Sequence, residues 1–146
     1  MTVTTTDNVR SHRQAIAAYN RHDVDAMVSL RRQDSRLTDH ATGQTMRGPD
    51  EIRAYIRANF DAFSDDRFED ADIIGVGAWT VLRGRTEGTH DGSWGGVEPT
   101  GARGTLDVCA VARWDAGRLV EEHLYYDLYG LLAQLGLVPP LDAPGR

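Results

Sequence analysis

The chain has 146 residues, of which 40% are hydrophobic and 26% are charged, and its formal net charge is −6. These values are typical of one soluble globular domain with a core that needs neither disulfides nor a metal. The acidic balance without a basic cluster argues against nucleic-acid binding, and the apolar runs are too short to cross a membrane.

The first part of the chain has the pattern of two helices. Asp7 or Thr6 is a candidate N-cap of the first helix, and Asp23 has the position of an N-cap for a short second helix. The apolar residues on one side of these helices are Val9, Ile16 and Tyr19 in the first, and Val24, Met27, Val28 and Leu30 in the second. Both helices are therefore expected to pack through one side.

Two short strands and a third helix follow. The segment "SRLTDHATGQTMRG" predicts two short strands joined by a turn at "ATGQ". Pro49 stands where the first residue of a helix tolerates proline, and Asp50 and Glu51 suit the positive end of the helix dipole. An apolar stripe predicts that this helix continues to about Phe63.

The second half has the pattern of strands. The four strand-like runs are "RFEDADIIGVG", "AWTVLRGRTEGTHDG", "ARGTLDVCAVARWD" and "GRLVEEHLYYD", and "DAG" between the last two predicts a tight hairpin. Helices followed by antiparallel strands predict an α+β fold with the helices on one side of a sheet. A strongly bent sheet would make this fold a cone with a pocket inside. We expect one domain over 1–146, with loose tails at 1–7 and 138–146.

The last strand raises the main functional question. In "VEEHLYYDLYGLLAQLG", Glu121, His123, Tyr125 and Asp127 fall on alternate positions and share one face of a strand. If that face looks into a pocket, partial desolvation suits Asp127 for proton abstraction. If Asp127 only precedes the last helix, it is an N-cap that satisfies backbone N–H groups. The two roles are compatible.

Three histidines are further candidates. His123 is a candidate to orient Asp127 or to protonate an oxygen, and a half-buried histidine without chemistry is the alternative. His90 in "EGTHDG" is a candidate for the pocket lining, with a surface loop as the alternative. Only one of Asp39 and His40 in "TDHATG" is able to face inward, because neighbours on a strand point to opposite faces.

Several reaction classes lack the residues that they require. All 16 basic residues are arginine, so a Schiff base on lysine is excluded. The five histidines show no metal-ligand spacing, and nucleotide, flavin and nucleophile-elbow motifs are absent from the sequence. We therefore expect neither a metal nor a cofactor. The single cysteine, Cys109, and a polar N-terminus without a secretory signal predict a cytoplasmic protein.

Three segments carry a resemblance to a known family. "RGPDEIRAYIRANFDAFSD" resembles a glycine–proline–helix segment, "GTHDGSWGGVEPTGARGTLDVCAVARWDAGRLVEE" a strand–loop–strand core, and "DLYGLLAQLG" a closing Asp–Leu–Leu–Gln–Leu–Gly segment. Together, over about residues 8–138, they are similar to the SnoaL-like polyketide cyclase family, which belongs with nuclear transport factor two and ketosteroid isomerase. The position of His123 is commonly tryptophan in that family.

The resemblance implies a fold, a reaction and a set of site residues. The fold is a cone-shaped α+β barrel, in which N-terminal helices pack into a strongly curved, mostly antiparallel sheet that a short C-terminal helix follows. The reaction is an intramolecular aldol ring closure without a cofactor. Its base is an Asp in an apolar cone, as in ketosteroid isomerase. Asp127 matches the general acid/base, and His123 and His90 are expected to assist it. The residues expected to bind substrate are Tyr19, His40, Phe60, Trp79, Trp94 and Tyr125.

Three functional hypotheses result. The first is a cyclase of aromatic polyketide antibiotic biosynthesis that acts on a polycyclic aromatic small molecule. The second is hydroxylation-related, isomerase or epoxide-hydrolase chemistry, the last through Arg83 or Arg85 with Asp107 and Asp127. The third is a small-molecule-binding module without catalysis. Since members of the family are usually oligomeric, a homodimer or homotetramer is expected, without nucleic-acid or membrane partners.

Overall fold

The computed structural model describes residues 2–142. Within them lie four helices and six strands, in the α+β arrangement that the sequence predicts. In chain order they are α1 (Thr5–Asn20), α2 (Val24–Ser29), β1 (Arg31–Asp39), β2 (Gln44–Arg47), α3 (Gly48–Ala62), β3 (Arg67–Val76), β4 (Trp79–Thr89), β5 (Arg103–Asp115), β6 (Arg118–Tyr126) and α4 (Leu128–Gln134).

The strands form one sheet in the order β2-β1-β6-β5-β4-β3. Neighbouring strands are antiparallel except for β1 and β6, which are parallel. The sheet is curved and stays open, with β2 at one edge and β3 at the other. Since α1 packs against β3 and β4, and α3 against β1 and β2, the helices cover the concave side of the sheet. The cone-shaped α+β fold expected from the resemblance is confirmed.

Side-chain caps begin the first two helices. Thr4 and Asp7 form a capping box, in which each side chain accepts a hydrogen bond from the backbone N–H of the other residue. Asp23 caps α2, as predicted, by accepting a 3.1 Å hydrogen bond from the backbone N–H of Ala26. The cap predicted at Asp7 or Thr6 is corrected, because Thr4 is the cap of α1 and both of these residues lie within the helix. Residues 5–7 are therefore helical, and the loose tail expected at 1–7 is corrected there. Of the other expected tail, 143–146 lie outside the described residues.

The hairpin predicted at "DAG" is confirmed. β5 ends at Asp115 and β6 begins at Arg118, so that two residues form the loop. Ala116 and Gly117 have φ values of 48° and 81°, the left-handed values that a type I′ turn requires at both positions. The turn pairs Asp115 with Arg118, and a bulge in β6 between Leu119 and Glu121 then shifts the register. The register beyond this bulge decides which side chains of β6 face the helices.

The apolar stripe of α3 is buried as predicted. Ile52, Ile56 and Phe60 pack in a cluster whose other buried members are Val24, Val28, Leu37 and Met46. A second cluster lies on the sheet nearer to α1 and consists of Phe68, Leu82 and Ala110. Each Val, Leu, Ile, Met or Phe side chain in these clusters contributes about 1.5–3 kcal/mol on full burial. Tyr19 and Leu124 contact both clusters and mark the space between them.

Candidate functional site

A cavity of about 190 Å³ lies between α1, α3 and the concave face of the sheet. Much of its wall is apolar, with contributions from Ile16, Met27, Leu37, Phe68, Val108 and Leu124. Its volume exceeds the roughly 150 Å³ of an apolar protein cavity that binds benzene. The space therefore suits an aromatic group.

Helix α1 presents one face to this cavity. His12, Ala15, Ile16 and Tyr19 line it at the spacing i, i+3, i+4, i+7. His12 and Tyr19 are therefore about 10 Å apart along the helix axis. Each of them belongs to a separate polar region of the cavity wall.

Asp66 and Tyr19 form the first polar region. Asp66 immediately precedes β3, and its carboxylate accepts a hydrogen bond from the hydroxyl of Tyr19. Burial raises the pKa of Asp66, while the hydrogen bond from Tyr19 acts in the opposite direction. Burial, and then the charge of Asp66, raises the pKa of Tyr19 well above its ordinary value, so that Tyr19 keeps its proton. A cavity-lining carboxyl with a raised pKa is suited to acid–base catalysis.

Asp39 joins two tyrosines of the cavity wall in a buried network. The side chain of Asp39 is only 1% exposed. Its Oδ2 accepts hydrogen bonds of 2.7 Å from the hydroxyls of Tyr55 and Tyr126. Its Oδ1 accepts hydrogen bonds of 3.0 and 3.1 Å from the backbone N–H groups of Ala41 and Thr42. Burial is the first cause that raises the pKa of both tyrosines, and the four donors satisfy the buried carboxylate.

His12, Arg31 and Glu122 form the second polar region. The guanidinium of Arg31 pairs with the carboxylate of Glu122, and the two side chains are 5% and 13% exposed. His12 is buried, and its Nδ1 lies 2.8 Å from Oγ1 of Thr80. Burial lowers the pKa of His12, so that the ring is neutral at neutral pH. This region therefore holds a balanced ion pair beside a neutral imidazole.

The loop between β4 and β5 brings Trp94 to the cavity. Trp94 is half-buried, lines the cavity and packs on Phe63 with ring centroids 5.5 Å apart. His90 is fully buried at the base of the loop, where its Nδ1 accepts a 3.2 Å hydrogen bond from the backbone N–H of Thr100. His90 thus holds the base of the loop, and Trp94 stands between the cavity and solvent.

Of the site residues predicted from the sequence, Tyr19 and Trp94 line the cavity. His90 does not, because its ring is used to hold the loop. Phe60 is buried in the core and packs edge-on against Tyr19 with ring centroids 4.9 Å apart. Trp79 begins β4 and is 37% exposed. The expected cavity positions of His90, Phe60 and Trp79 are therefore corrected.

The face of β6 that was expected to look inward looks outward. The β6 side chains that line the cavity are Glu122, Leu124 and Tyr126. His123 and Tyr125 alternate with them and so lie on the opposite face of the sheet. There Tyr125 stacks on His40 with centroids 4.4 Å apart, and Nε2 of His40 lies 2.9 Å from Nδ1 of His123. The expected cavity positions of His40, His123 and Tyr125 are corrected, because the strand has the opposite phase.

Asp127 caps α4 and does not line the cavity. Its side chain is exposed, and its Oδ1 accepts a 2.8 Å hydrogen bond from the backbone N–H of Gly130. The capping role left open by the sequence is confirmed, and the expected position in the depth of the cone is corrected. Arg85 and Asp107 pair at 2.9 Å, but both side chains are exposed, so that they do not form the Asp–Arg–Asp arrangement in the cavity.

The sequence did not identify most of the polar cavity residues. Asp66 lies in "SDD", which has the composition of a turn, and Tyr126 lies on the strand face opposite to the one that carries His123 and Tyr125. Arg31 and Glu122 meet only because β1 pairs with β6 in parallel. The one signal available was the i, i+7 spacing of His12 and Tyr19 on the inner side of α1.

The described part of the chain gives two further results. No helix within residues 2–142 is long and apolar enough to cross a membrane. Among the same residues, no group of three or more His, Cys, Asp or Glu side chains is arranged to hold a metal ion.

The fold and the cavity define a cone-shaped α+β protein of the nuclear transport factor two-like class, with an internal space for a small molecule. The model of the family described as SnoaL-like polyketide cyclase matches residues 10–135. The chain therefore belongs to the SnoaL-like polyketide cyclase family. Among curated proteins, no significant match is found.

Solved structures show the same fold. AclR from Streptomyces galilaeus, a candidate hydroxylase, is 23% identical with a TM-score of 0.82, and the alignment covers 94% of this chain and 86% of that one. IdmH from Streptomyces antibioticus, a candidate polyketide cyclase, is 24% identical with a TM-score of 0.76, over 88% and 98% of the chains. A candidate SnoaL-like polyketide cyclase from Jannaschia sp. CCS1 is 20% identical with a TM-score of 0.83, over 92% and 94%. At these identities the likeness establishes the fold alone.

Proposed function

We propose that the chain is a cofactor-independent enzyme that closes a ring of an aromatic polyketide by an intramolecular aldol reaction, with Asp66 as general acid/base. The proposal rests on the environment of Asp66 in the cavity. Its carboxyl lines a largely apolar cavity, accepts a hydrogen bond from Tyr19 and has a pKa raised by burial. Membership of the polyketide cyclase family supports the substrate class.

The proposed reaction returns every proton that it removes. The carboxylate of Asp66 takes a proton from a carbon that an ester and an adjoining ring system activate. The electron pair of that carbon attacks a ketone carbon of the same substrate, so that one C–C bond forms and the C=O π pair becomes an alkoxide. The alkoxide then takes the proton from the carboxyl of Asp66. A raised pKa brings the carboxylate nearer to the basicity that proton abstraction requires.

The cavity suits the reacting end of such a substrate. It exceeds the roughly 150 Å³ that holds benzene, and its 190 Å³ is well below the volume of typical drug-sized sites. We infer that one or two rings lie inside beside Asp66 and that the remaining rings extend past Trp94. The rings of Phe63 and Phe68 offer aromatic and apolar contacts for the inserted part.

The test compares three Asp→Asn variants in the ring closure of an anthraquinone ester that carries a ketone side chain. Asp66→Asn is expected to lower kcat by about 10²–10⁴-fold, the usual contribution of a general base. Asp34→Asn is the matched control, because Asp34 is exposed and pairs with Arg32 on the surface. Full activity of Asp66→Asn overturns its role. Loss of activity in Asp127→Asn alone would instead assign the base to Asp127, as the family resemblance implies.

The expected homodimer or homotetramer and the cytoplasmic location remain predictions. Exposed apolar side chains on β3, Ile74 at 65% and Val76 at 73%, support association between copies. Sedimentation equilibrium of the full chain tests this, and a monomer mass at micromolar concentration would contradict it.

A further inference from the structure

Asp39 controls the hydrogen-bonding polarity of two tyrosines in the cavity wall. A tyrosine hydroxyl has one proton to donate and can also accept hydrogen bonds. Tyr55 and Tyr126 both direct that proton to Oδ2 of Asp39 at 2.7 Å. Their oxygens can therefore only accept hydrogen bonds from a molecule in the cavity. Both tyrosines line the cavity, so that their hydroxyl oxygens are available to a bound molecule as acceptors.

We propose that Tyr126, assisted by Tyr55, selects substrates that present a hydroxyl donor such as a phenol, and that Asp39 is the positioning residue that imposes this selectivity. Asp39 itself does not line the cavity and acts through the two tyrosines. The inference rests on the proposed function in one respect only, that the cavity binds an aromatic substrate. It requires no catalysis and is independent of the role of Asp66.

The surroundings of Asp39 predict what an isosteric amide does. The backbone N–H groups of Ala41 and Thr42 both donate to Oδ1. In Asp39→Asn these donors require the amide oxygen at that position, so that the NH₂ group takes the place of Oδ2. The NH₂ group then donates to Tyr55 and Tyr126, whose own protons are released toward the cavity. The two tyrosines change from acceptors to donors without a change in shape.

The experiment measures dissociation constants of three bicyclic probes by calorimetry: 1-naphthol, 1-tetralone and 1-methylnaphthalene. 1-Naphthol offers a hydroxyl donor, 1-tetralone offers only an acceptor, and 1-methylnaphthalene offers neither. Wild type is expected to bind 1-naphthol more tightly than 1-tetralone. In Asp39→Asn this ratio is expected to fall about tenfold, because the phenol loses one hydrogen bond and the ketone gains one. Asp34→Asn is the exposed control and should keep the ratio of wild type.

Each outcome bears on the proposal. A folded Asp39→Asn variant with an unchanged ratio overturns it. If that variant does not fold, Tyr126→Phe replaces it: this variant should lose the preference for 1-naphthol over 1-methylnaphthalene, and a retained preference overturns the proposal. If no probe binds to wild type, the cavity is not an aromatic site and the proposed function fails as well. If 1-methylnaphthalene binds but the ratios do not respond to the variants, only the selectivity proposal fails.

Discussion

His12 Nδ1 and Thr80 Oγ1 lie 2.8 Å apart, and the indole N–H of Trp114 donates to the same hydroxyl at 2.8 Å. Because Thr80 accepts from Trp114, its own proton is available for His12. When the hydroxyl of Thr80 donates to His12, Nδ1 of the imidazole is the acceptor and the proton of the neutral ring is on Nε2. This arrangement has no place for a second ring proton at Nδ1 unless the hydroxyl turns away. Burial lowers the pKa of His12 and thus favours the neutral ring.

The lowered pKa of His12 predicts acid sensitivity. In the unfolded state His12 has an ordinary pKa near 6.5 and binds a proton below that pH. In the folded state it stays neutral to a lower pH. His12 therefore contributes stability above the unfolded pKa, and the stability is lost as pH falls toward the lower folded pKa. Urea unfolding between pH 8 and pH 5 should show a slope of up to about 1.4 kcal/mol per pH unit from this group. His12→Asn, whose amide is able to reach Thr80, should reduce the slope.

The control for this prediction is His40→Asn, which removes an exposed imidazole from the other face of the sheet. Its unfolding slope should stay close to that of wild type. Equal slopes for wild type and His12→Asn would show that folding does not change the pKa of His12, contrary to the prediction.

The buried ion pair of Arg31 and Glu122 predicts strong non-additivity. Glu122→Gln leaves the charge of Arg31 buried without a partner and should lower the free energy of unfolding by about 3–5 kcal/mol. The double variant Arg31→Met/Glu122→Leu removes both charges and should recover most of the loss. Asp72→Asn breaks the exposed pair with Arg83, whose side chains are 65% and 66% exposed, and should cost about 0–1 kcal/mol. Equal costs for the two single variants would contradict the burial of Arg31.

Asp66 is expected to lower stability at the pH at which it acts. Its raised pKa means that the folded state favours the protonated carboxyl, an advantage present below the unfolded pKa and lost as pH rises through the folded pKa. Asp66→Asn stays neutral, and its amide oxygen is able to accept from Tyr19. The variant should be at least as stable as wild type at pH 7 while it loses activity. Thermal unfolding at pH 4 and pH 7 tests this, and a large loss of stability at pH 7 would indicate a structural carboxylate.

The fold was predictable because the sequence patterns that define its helices and turns are local. The site depends instead on which face of each strand lines the cavity. The Asp23 cap of α2, the proline, the apolar stripe of α3 and the "DAG" turn are all visible in the sequence. On β6, Tyr125 is followed by Tyr126, so that period-two alternation offers two faces of similar chemistry. The bulge between Leu119 and Glu121 and the helices above the sheet select the face that carries Tyr126, and the alternation of residue types does not show this bulge. The same limit applies to Asp39 and His40, of which the carboxylate is buried and the imidazole is exposed.

Gly92 predicts how tightly the Trp94 loop is held. A Cβ atom on Gly92 would lie 1.9 Å from the carbonyl oxygen of Asp61, which belongs to the backbone of α3. The backbone N–H groups of residues 91 and 92 also donate to Ala62 at 3.1 Å. Gly92→Ala should therefore destabilise the protein by about 1–3 kcal/mol and weaken probe binding, because the loop must move away from α3. Ser93→Ala changes an exposed neighbour and should alter neither stability nor probe binding. Equal melting temperatures for Gly92→Ala and wild type would contradict the prediction.

Two substitutions of Asp127 distinguish a capping role from a catalytic role. Asparagine is as good an N-cap as aspartate, whereas alanine cannot accept the hydrogen bond from Gly130. Asp127→Ala should therefore lower the free energy of unfolding by about 1 kcal/mol, and Asp127→Asn should leave it almost unchanged. If Asp127 only caps α4, both variants keep their activity at temperatures at which they are folded. A stable Asp127→Asn variant without activity would show that the exposed cap also takes part in proton transfer, for which a cap alone gives no reason.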